Sequence, residues 1–295
     1  MKSKIVIAGG TGFVGTYLRD KFLQAGCEVV IISRDKAHVS WNDRSALQAA
    51  LNNASMVINL AGKTINCRFN EENRKQILSS RIKTTKALGE AISECTNAPL
   101  LWLNASTAIL YTDHAHPNTE DDSTEGRGFP AQVTRAWEAA FNAFDLLSTR
   151  RVAIRITIVL GKDGGVMPIY KTLVKFMLGG RQGTGSQIFS WIHIEDFHRM
   201  ILFIQANTAI SGPVNFGSPL PIKNEELMEA FREAMHVEIG LPAPVPMIEM
   251  GATLIGTEPE LVLNPQWVIP EKLMNAGFQF RYASIQEALK NLLES

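Results

Sequence analysis

Lys4-Ile5-Val6-Ile7-Ala8 runs without a break into Gly9-Gly10-Thr11-Gly12-Phe13-Val14-Gly15, and this junction decides the fold. A short apolar run rich in β-branched residues is a buried strand. From Phe13 to about Ala25, Val14, Leu18 and Phe22 recur at helical spacing, and Gly26 stops that helix. The glycines fall where a strand must turn sharply into a helix. Gly9 permits the turn, Gly12 lets backbone approach a ligand, and Gly15 lets helix and strand pack closely. The helix start then offers free N–H groups and a partial positive charge to phosphates.

The same alternation continues on the C-terminal side. Residues 28–32, 56–60, 99–103 and 152–156 read as further buried strands, and Asp43 opens a helix after a short third strand, either as its N-cap or as a contact to adenine. A long helix carries Leu78, Ile82, Thr85, Leu88 and Ile92 on one stripe, and another spans about 131–147. Short apolar strands separated by helices of this length mean parallel strands with right-handed crossovers, buried on both faces. The fold class is therefore α/β, a doubly wound parallel sheet with a smaller C-terminal substrate lobe. Residues 1–160 read as the dinucleotide-binding domain and 161–295 as the smaller lobe. Within that lobe 167–178 is a helix between glycine-rich stretches, and strands at about 190–216 return to the sheet. Pro242-Ala243-Pro244-Val245-Pro246 is a stiff extended segment that introduces a mainly helical end, with an accessory segment over 247–295.

The second strand ends in Ser33-Arg34, where proteins preferring NAD carry an acidic residue for the ribose 2′-hydroxyl. A guanidinium there grips a 2′-phosphate with charge-assisted bonds, so NADP is the expected cofactor. Asp35 next to it keeps NAD open as the alternative. Asn59-Leu60-Ala61-Gly62 ends the following strand, where small residues let backbone border the nucleotide. Lys plus Arg equals Asp plus Glu at 29 each, which argues against a nucleic-acid partner. Apolar runs are strand-length, too short to span a membrane, and Met1-Lys2-Ser3 leads straight into the first strand. The expectation is a cytoplasmic protein without a membrane partner. Cys27, Cys67 and Cys95 are widely spaced and read as reduced thiols, with no metal site expected. His114 and His116, with Asp113, Glu120, Asp121 and Asp122, read as a flexible polar loop.

The glycine turn, Asn59-Leu60-Ala61-Gly62 and Ser190-Trp191-Ile192-His193-Ile194-Glu195-Asp196 together resemble the extended short-chain dehydrogenase/reductase superfamily. More narrowly, the chain resembles its atypical branch of epimerase-family (YfcH-type) NAD(P)-dependent proteins with a C-terminal accessory domain. Ser80-Arg81, Trp137-Glu138, Val159-Leu160-Gly161 with Gly164-Gly165, and Gly277-Phe278-Gln279-Phe280 fit the same branch. The resemblance implies that Thr11, Gly12, Phe13 and Val14 wrap the pyrophosphate and that Ser33 and Arg34 take the 2′-phosphate. Leu60 and Ala61 would border the adenosine side, and Gln76 and Arg81 would approach the cofactor. Gln76 departs from the acidic residue of the branch.

Reductases of this superfamily use a Tyr four residues before a Lys, whose ammonium lowers the phenol's pKa. Counting back from Glu138, those positions hold Pro130 and Thr134, and none of Tyr17, Tyr111, Tyr170 or Tyr282 begins a Tyr-x-x-x-Lys motif. The chemistry near the expected site falls to Ser106 first, Thr107 second and Tyr111 third, as hydroxyls facing a substrate carbonyl or alcohol. His193 reads as a satisfied structural histidine and Asp196 as a helix cap. Lys171, Lys175 and Arg181 flank the cleft as a solvated face or as holders of an anionic substrate. The expected partner is an unknown small-molecule substrate. The helices at about 71–94 and 131–147 offer a surface for a homodimer. Two functions follow: an NADP-dependent oxidoreductase or sugar-nucleotide-epimerase-like enzyme, and a non-catalytic NADP-binding sensor.

Overall fold

The strand β1 (Lys4–Ala8) lies between β2 (Glu28–Ser33) and β4 (Met56–Asn59), and its residues Ile5 to Ala8 are apolar and buried because both faces are covered. The computed structural model describes residues 2–111, 115–122, 126–256, 258–263 and 266–294; Asp113 and His114 lie outside them. With β3 (Val39–Ser40), β5 (Leu101–Thr107), β6 (Arg150–Ile156) and β11 (Gly212–Phe216), these strands form one seven-stranded parallel sheet. Its order is β11-β6-β5-β4-β1-β2-β3. The order reverses between β1 and β4, and open sheets of this kind leave a crevice at such a switch point, beyond the carboxyl ends of the strands.

Side-chain alternation sorts the core into two layers. Ile5, Ile7, Met56, Ile58, Leu101, Leu103, Val152, Ile154, Val214 and Phe216 meet α1 (Phe13–Gln24) and α6 (Ile194–Ala206). Val6, Ala8, Val57, Trp102 and Ala153 meet α2 (Arg44–Leu51), α3 (Glu71–Ser93) and α4 (Gly128–Asn142). The same parity puts Asn59, Asn104, Ser106, Arg155 and Asn215 on the α3/α4 side near the strand ends.

Several expected boundaries shift for identifiable reasons. The strand expected at 99–103 is β5 at Leu101–Thr107; its polar residues stay in the strand because Asn104 and Ser106 find buried partners. The helix expected at 131–147 is α4, which starts earlier because Pro130 is tolerated in a first turn. Asp43 does cap α2, accepting from Ala46 N at 2.9 Å. Glu120, expected in a flexible surface loop, is buried and accepts from the backbones of Asn215 and Lys272.

Beyond β6 the chain builds small sheets. β7 (Ile158–Gly161) pairs with β8 (Gly164–Gly165) and with β10 (Trp191–His193), while β9 (Ile188–Phe189) pairs with β12 (Ile222–Lys223). Of the residues expected to return to the main sheet, 214–216 do so in β11. Residues 190–194 do not, because β7 has already left the sheet and takes β10 as its own parallel neighbour. A second core gathers α5 (Met167–Lys175), α7 (Asn224–Ala234) and, after α8 (Val245–Ile255), α9 (Glu260–Leu263) and α10 (Glu271–Asn275), the final helix α11 (Ile285–Glu294). The solvent stripe of α3 carries Lys83, Lys86 and Glu90, all exposed, so subunits pairing there would meet through charge rather than apolar surface. Among the described residues no helix is long and apolar enough to cross a membrane.

Candidate dinucleotide site and its surroundings

Gly9 adopts φ +79°, and its N–H donates to Ile32 O at 2.9 Å. A Cβ there would sit 2.9 Å from Ala61 N and Leu60 C, so the turn closes only on glycine. A Cβ on Gly15 would meet Gly9 O at 2.5 Å, which is the close packing of helix on turn expected from the motif. Gly12 has only Gly9 O nearby, at 3.6 Å. It is the N-cap of α1 without a side-chain cap, and the first turn holds no acidic residue. Thr11 and Gly12 are exposed and Val14 half-buried. The helix therefore presents unsatisfied N–H groups and its positive dipole end to the crevice.

Phe13, expected to wrap phosphate, sends its side chain elsewhere. Its ring fills the space over the β7–β8 hairpin, where a Cβ on Gly164 would fall 2.1 Å from Phe13 Cδ2 and one on Gly161 2.6 Å from Cζ. The glycines at 161–165 exist to receive that ring. Only the Phe13 backbone remains for a ligand.

At the tip of β2, Ser33 is buried; its hydroxyl accepts from Asp35 N at 2.9 Å and lies 3.1 Å from His38 Nδ1. Asp35 turns its carboxylate into its own loop and accepts from Ala37 N at 3.0 Å. Arg34 is exposed beside them. At the tip of β4, Leu60 is half-buried and Ala61 buried, and Gly62 lies under the guanidinium of Arg81. Arg81 donates to Lys63 O at 3.0 Å and Ile77 O at 3.1 Å, and stacks over Trp137 at 5.1 Å. Burial pushes its pKa down to about 10; no ion-pair partner is found for it among the described residues. Gln76 is exposed and bridges Lys63 Nζ, at 2.5 Å, to Glu72. Beneath these tips Asn59 donates to Asn104 Oδ1 at 2.7 Å and holds Ala61 N at 3.1 Å, while Trp137 Nε1 donates to Thr85 at 2.9 Å.

The three hydroxyls at the end of β5 differ sharply. Ser106 is buried and donates to Glu138 Oε1 at 2.5 Å. Glu138 is in turn gripped by Arg155 through Nε and Nη2, each at 3.0 Å. Arg155 Nη1 donates to the Tyr111 hydroxyl at 2.9 Å, which donates to Asn215 Oδ1 at 2.8 Å. Ser106, Arg155 and Asn215 are register partners on adjacent strands, so the network is a row across the sheet. Burial works against the Arg155 charge, but Glu138 and Tyr111 more than offset it and raise its pKa. Burial also raises the Tyr111 phenol despite the neighbouring guanidinium. Tyr111, with both hydroxyl functions engaged, is a tie between strands. Thr107 is half-exposed, and its oxygen accepts from Ile109 N at 3.4 Å. Among the described residues no acceptor takes its proton.

Sequence reasoning missed Glu138, Arg155 and Asn215 as a unit. The available signal was polarity at alternate positions near the ends of β5, β6 and β11. It also misread Asp196, which does not cap α6. His193 does, accepting from Glu195 N at 3.0 Å through Nδ1, while its ring stacks on Tyr282 at 3.9 Å; burial lowers its pKa to about 4. Asp196 instead accepts from Arg281 N and Tyr282 N. Ser190 bonds Gln266 and Val268, and Glu195 pairs with Arg281. The Ser190–Asp196 stretch is thus a socket for the C-terminal segment. Lys171 and Lys175 lie on α5, and Arg181 is exposed in the loop after it. Among the described residues no cluster of His, Cys, Asp or Glu could hold a metal ion.

Residues 5–217 match the model of the NAD dependent epimerase/dehydratase family, and 243–292 match a domain of unknown function, DUF1731. The epimerase family protein MW0731 of Staphylococcus aureus (strain MW2) is 33% identical, over 98% of each chain. The human epimerase family protein SDR39U1 (isoform 2), solved with NADPH, superposes with a TM-score of 0.90 at 29% identity, over 99% of each chain. Thermus thermophilus UDP-glucose 4-epimerase, solved with NAD, shares the fold at a TM-score of 0.76 and 16% identity, over 99% of this chain and 98% of that one. A parallel sheet with the 3-2-1-4-5-6 core order, a glycine turn at its switch point and two family models in tandem lead to one assignment: the chain belongs to the NAD dependent epimerase/dehydratase family.

Proposed function

We propose that the chain binds NADP in the crevice at the carboxyl edge of β1, β2 and β4, and acts on a small substrate as an oxidoreductase or epimerase-like enzyme. The observation that carries this reading is the uncapped start of α1, opened by Gly12 and supported on Gly9 and Gly15. Thr11, Gly12 and the backbones of Phe13 and Val14 would hold the pyrophosphate. Exposed Arg34 would take the 2′-phosphate, while Asp35, turned into its own loop, does not oppose it. Arg81, a half-buried cation, suits the anionic or ribose portion near Gly62. The NADPH carried by the human relative supports the phosphorylated form.

The cofactor supplies hydride transfer when bound; the chain supplies orientation. Thr107 replaces Ser106 as the hydroxyl best suited to donate to a substrate oxygen, because Ser106 already donates to Glu138. Pro130 and Thr134 stand at the usual Tyr and Lys positions, and Thr134 spends its hydroxyl on Pro130 O at 2.8 Å. That last pair of residues favours a second reading, an NADP-binding sensor without turnover.

Calorimetric titration with NADPH and NADH tests the first claim: NADPH binds more tightly, and Arg34→Ala narrows the difference. Equal affinities in the wild type refute the Arg34 assignment. NADPH oxidation over a panel of carbonyl substrates separates enzyme from sensor. Silence throughout favours the sensor.

A further inference from the structure

The segment that carries α8 is fixed at one end to the loop after α5, and Glu258, which follows it, touches the loop between β4 and α3. Ala243 forms a bridge with Gln182, and Gly183 N donates to Ala243 O at 2.8 Å, anchoring the start of α8 to the loop after α5. Beyond α8, Glu258 reaches the loop between β4 and α3. Phe69 N donates to Glu258 Oε1 at 2.6 Å, and Arg68 Nη1 lies 3.3 Å from Oε2, so a single carboxylate joins segments 189 residues apart.

The loop that Glu258 holds borders the nucleotide crevice. It starts at Gly62, under Arg81, and Lys63 gives its carbonyl to Arg81 and its N–H to Ser80 Oγ at 2.9 Å. At its far end Phe69 packs edge-on against Phe129 at 5.1 Å, next to Pro130. Arg74 lies over the Phe129 ring at 4.7 Å and donates to Phe69 O at 2.7 Å. The loop is therefore stitched to α3 and to the start of α4, and its third attachment is Glu258.

We infer that Glu258 is a positioning residue for the dinucleotide site: by holding the 63–70 loop, which leaves the crevice edge at Gly62, it sets how fast a cofactor enters and leaves. The inference rests on the NADP reading above. A charge-assisted bond to a backbone N–H with a second bond to Arg68 gives the loop two fixed points. The Glu258 side chain is 19% exposed, so water competes for it and the contact opens without unfolding either lobe. Through this carboxylate the C-terminal module acts on the dinucleotide site.

Stopped-flow measurement of NADPH binding and release, with amide hydrogen exchange over residues 63–74, tests this. In Glu258→Ala, release accelerates about three- to tenfold, the scale of one ordinary hydrogen bond because water competes for the part-exposed carboxylate, and association accelerates with it, so affinity changes less than either rate. Exchange in the loop rises. Glu258→Gln keeps an acceptor for Phe69 N–H and recovers most of the slow release, while Arg68→Met gives an intermediate rate. A merely structural role would lower the melting temperature without moving both rates together. Wild-type rates in Glu258→Ala and Arg68→Met, in protein that binds NADPH, overturn the inference and leave the NADP reading intact. A wild type that binds no NADPH overturns both.

Discussion

Replacing Glu138 by alanine strands a guanidinium in the interior. Arg155 is 5% exposed and gives two of its bonds, each 3.0 Å, to the Glu138 carboxylate. In Glu138→Ala it keeps, among the described residues, the Tyr111 hydroxyl alone, at 2.9 Å. Removing one member of a buried ion pair costs roughly 3–5 kcal/mol, because the other charge stays desolvated. The orphaned Ser106 hydroxyl adds about 1 kcal/mol, and the 15% exposure of the Glu138 side chain, which admits some water, pulls the sum back toward the lower bound. For 295 residues, an unfolding entropy near 2.1 cal/mol/K per residue gives about 0.6 kcal/mol/K, so the melting temperature falls by about 5–8 °C. Urea unfolding and circular-dichroism melts of wild type and variant measure this. The double variant Glu138→Leu/Arg155→Met removes both charges and recovers most of the loss. A single variant that loses less than about 1 kcal/mol, the value of an exposed pair, refutes the view that this row is a desolvated unit.

Other consequences can be measured directly. Gly164→Ala, whose Cβ would lie 2.1 Å from the Phe13 ring, costs about 1–3 kcal/mol, and Phe13→Leu in the same chain restores most of it in thermal melts; an unchanged melting temperature would show the ring moves freely. If the chain turns over a carbonyl substrate, Thr107→Val lowers kcat by about 10²-fold, the scale of one lost positioning donor, whereas Ser106→Ala acts mainly on stability; the reverse ranking returns the role to Ser106. His193 has a folded pKa near 4 against about 6.5 unfolded. The unfolded chain therefore takes the proton first, and stability present above pH ~6.5 is lost as pH falls toward ~4, up to about 3 kcal/mol. His193→Asn, which keeps a cap on α6, flattens that part of the urea-midpoint profile; parallel profiles would assign the acid sensitivity to other groups.

The glycine turn was legible because each glycine answers to its own backbone or to a neighbour fixed by the motif. Gly9 needs φ +79°, and Gly15 abuts Gly9 and Gly10. The doubly wound parallel class was legible because short apolar strands alternate with helices long enough for crossovers, whereas the strand order came only with the structure. Choosing between Ser106 and Thr107 was not possible from residue type. It required knowing that Ser106, Arg155 and Asn215 share a row and that Glu138 reaches it from α4. Phe13 and Gly164 are far apart in the chain, so nothing local marked them as partners. Asp196 and Arg281 posed the same difficulty: the spacing Ile194-Glu195-Asp196 looks like the first turn of a helix, and the backbone donors that claim Asp196 beside Arg199 come 85 residues later.

That separation has a consequence for how the chain is made. The Asp196 side chain is 1% exposed; Arg199 Nη1, one turn on, donates to it at 2.6 Å, but the amides of Arg281 and Tyr282 complete its set of donors, so during synthesis the centre of the molecule waits for a stretch the ribosome has yet to deliver. Enclosed with Arg199 alone, the carboxylate would still lack the backbone donors that take its remaining lone pairs, at a desolvation cost, so the first half can form its sheet early while the socket around α6 stays hydrated and open. Final closure of the two lobes is therefore expected late, once the accessory segment has emerged, and truncation before Arg281 should yield a chain trapped in that unfinished, wet state.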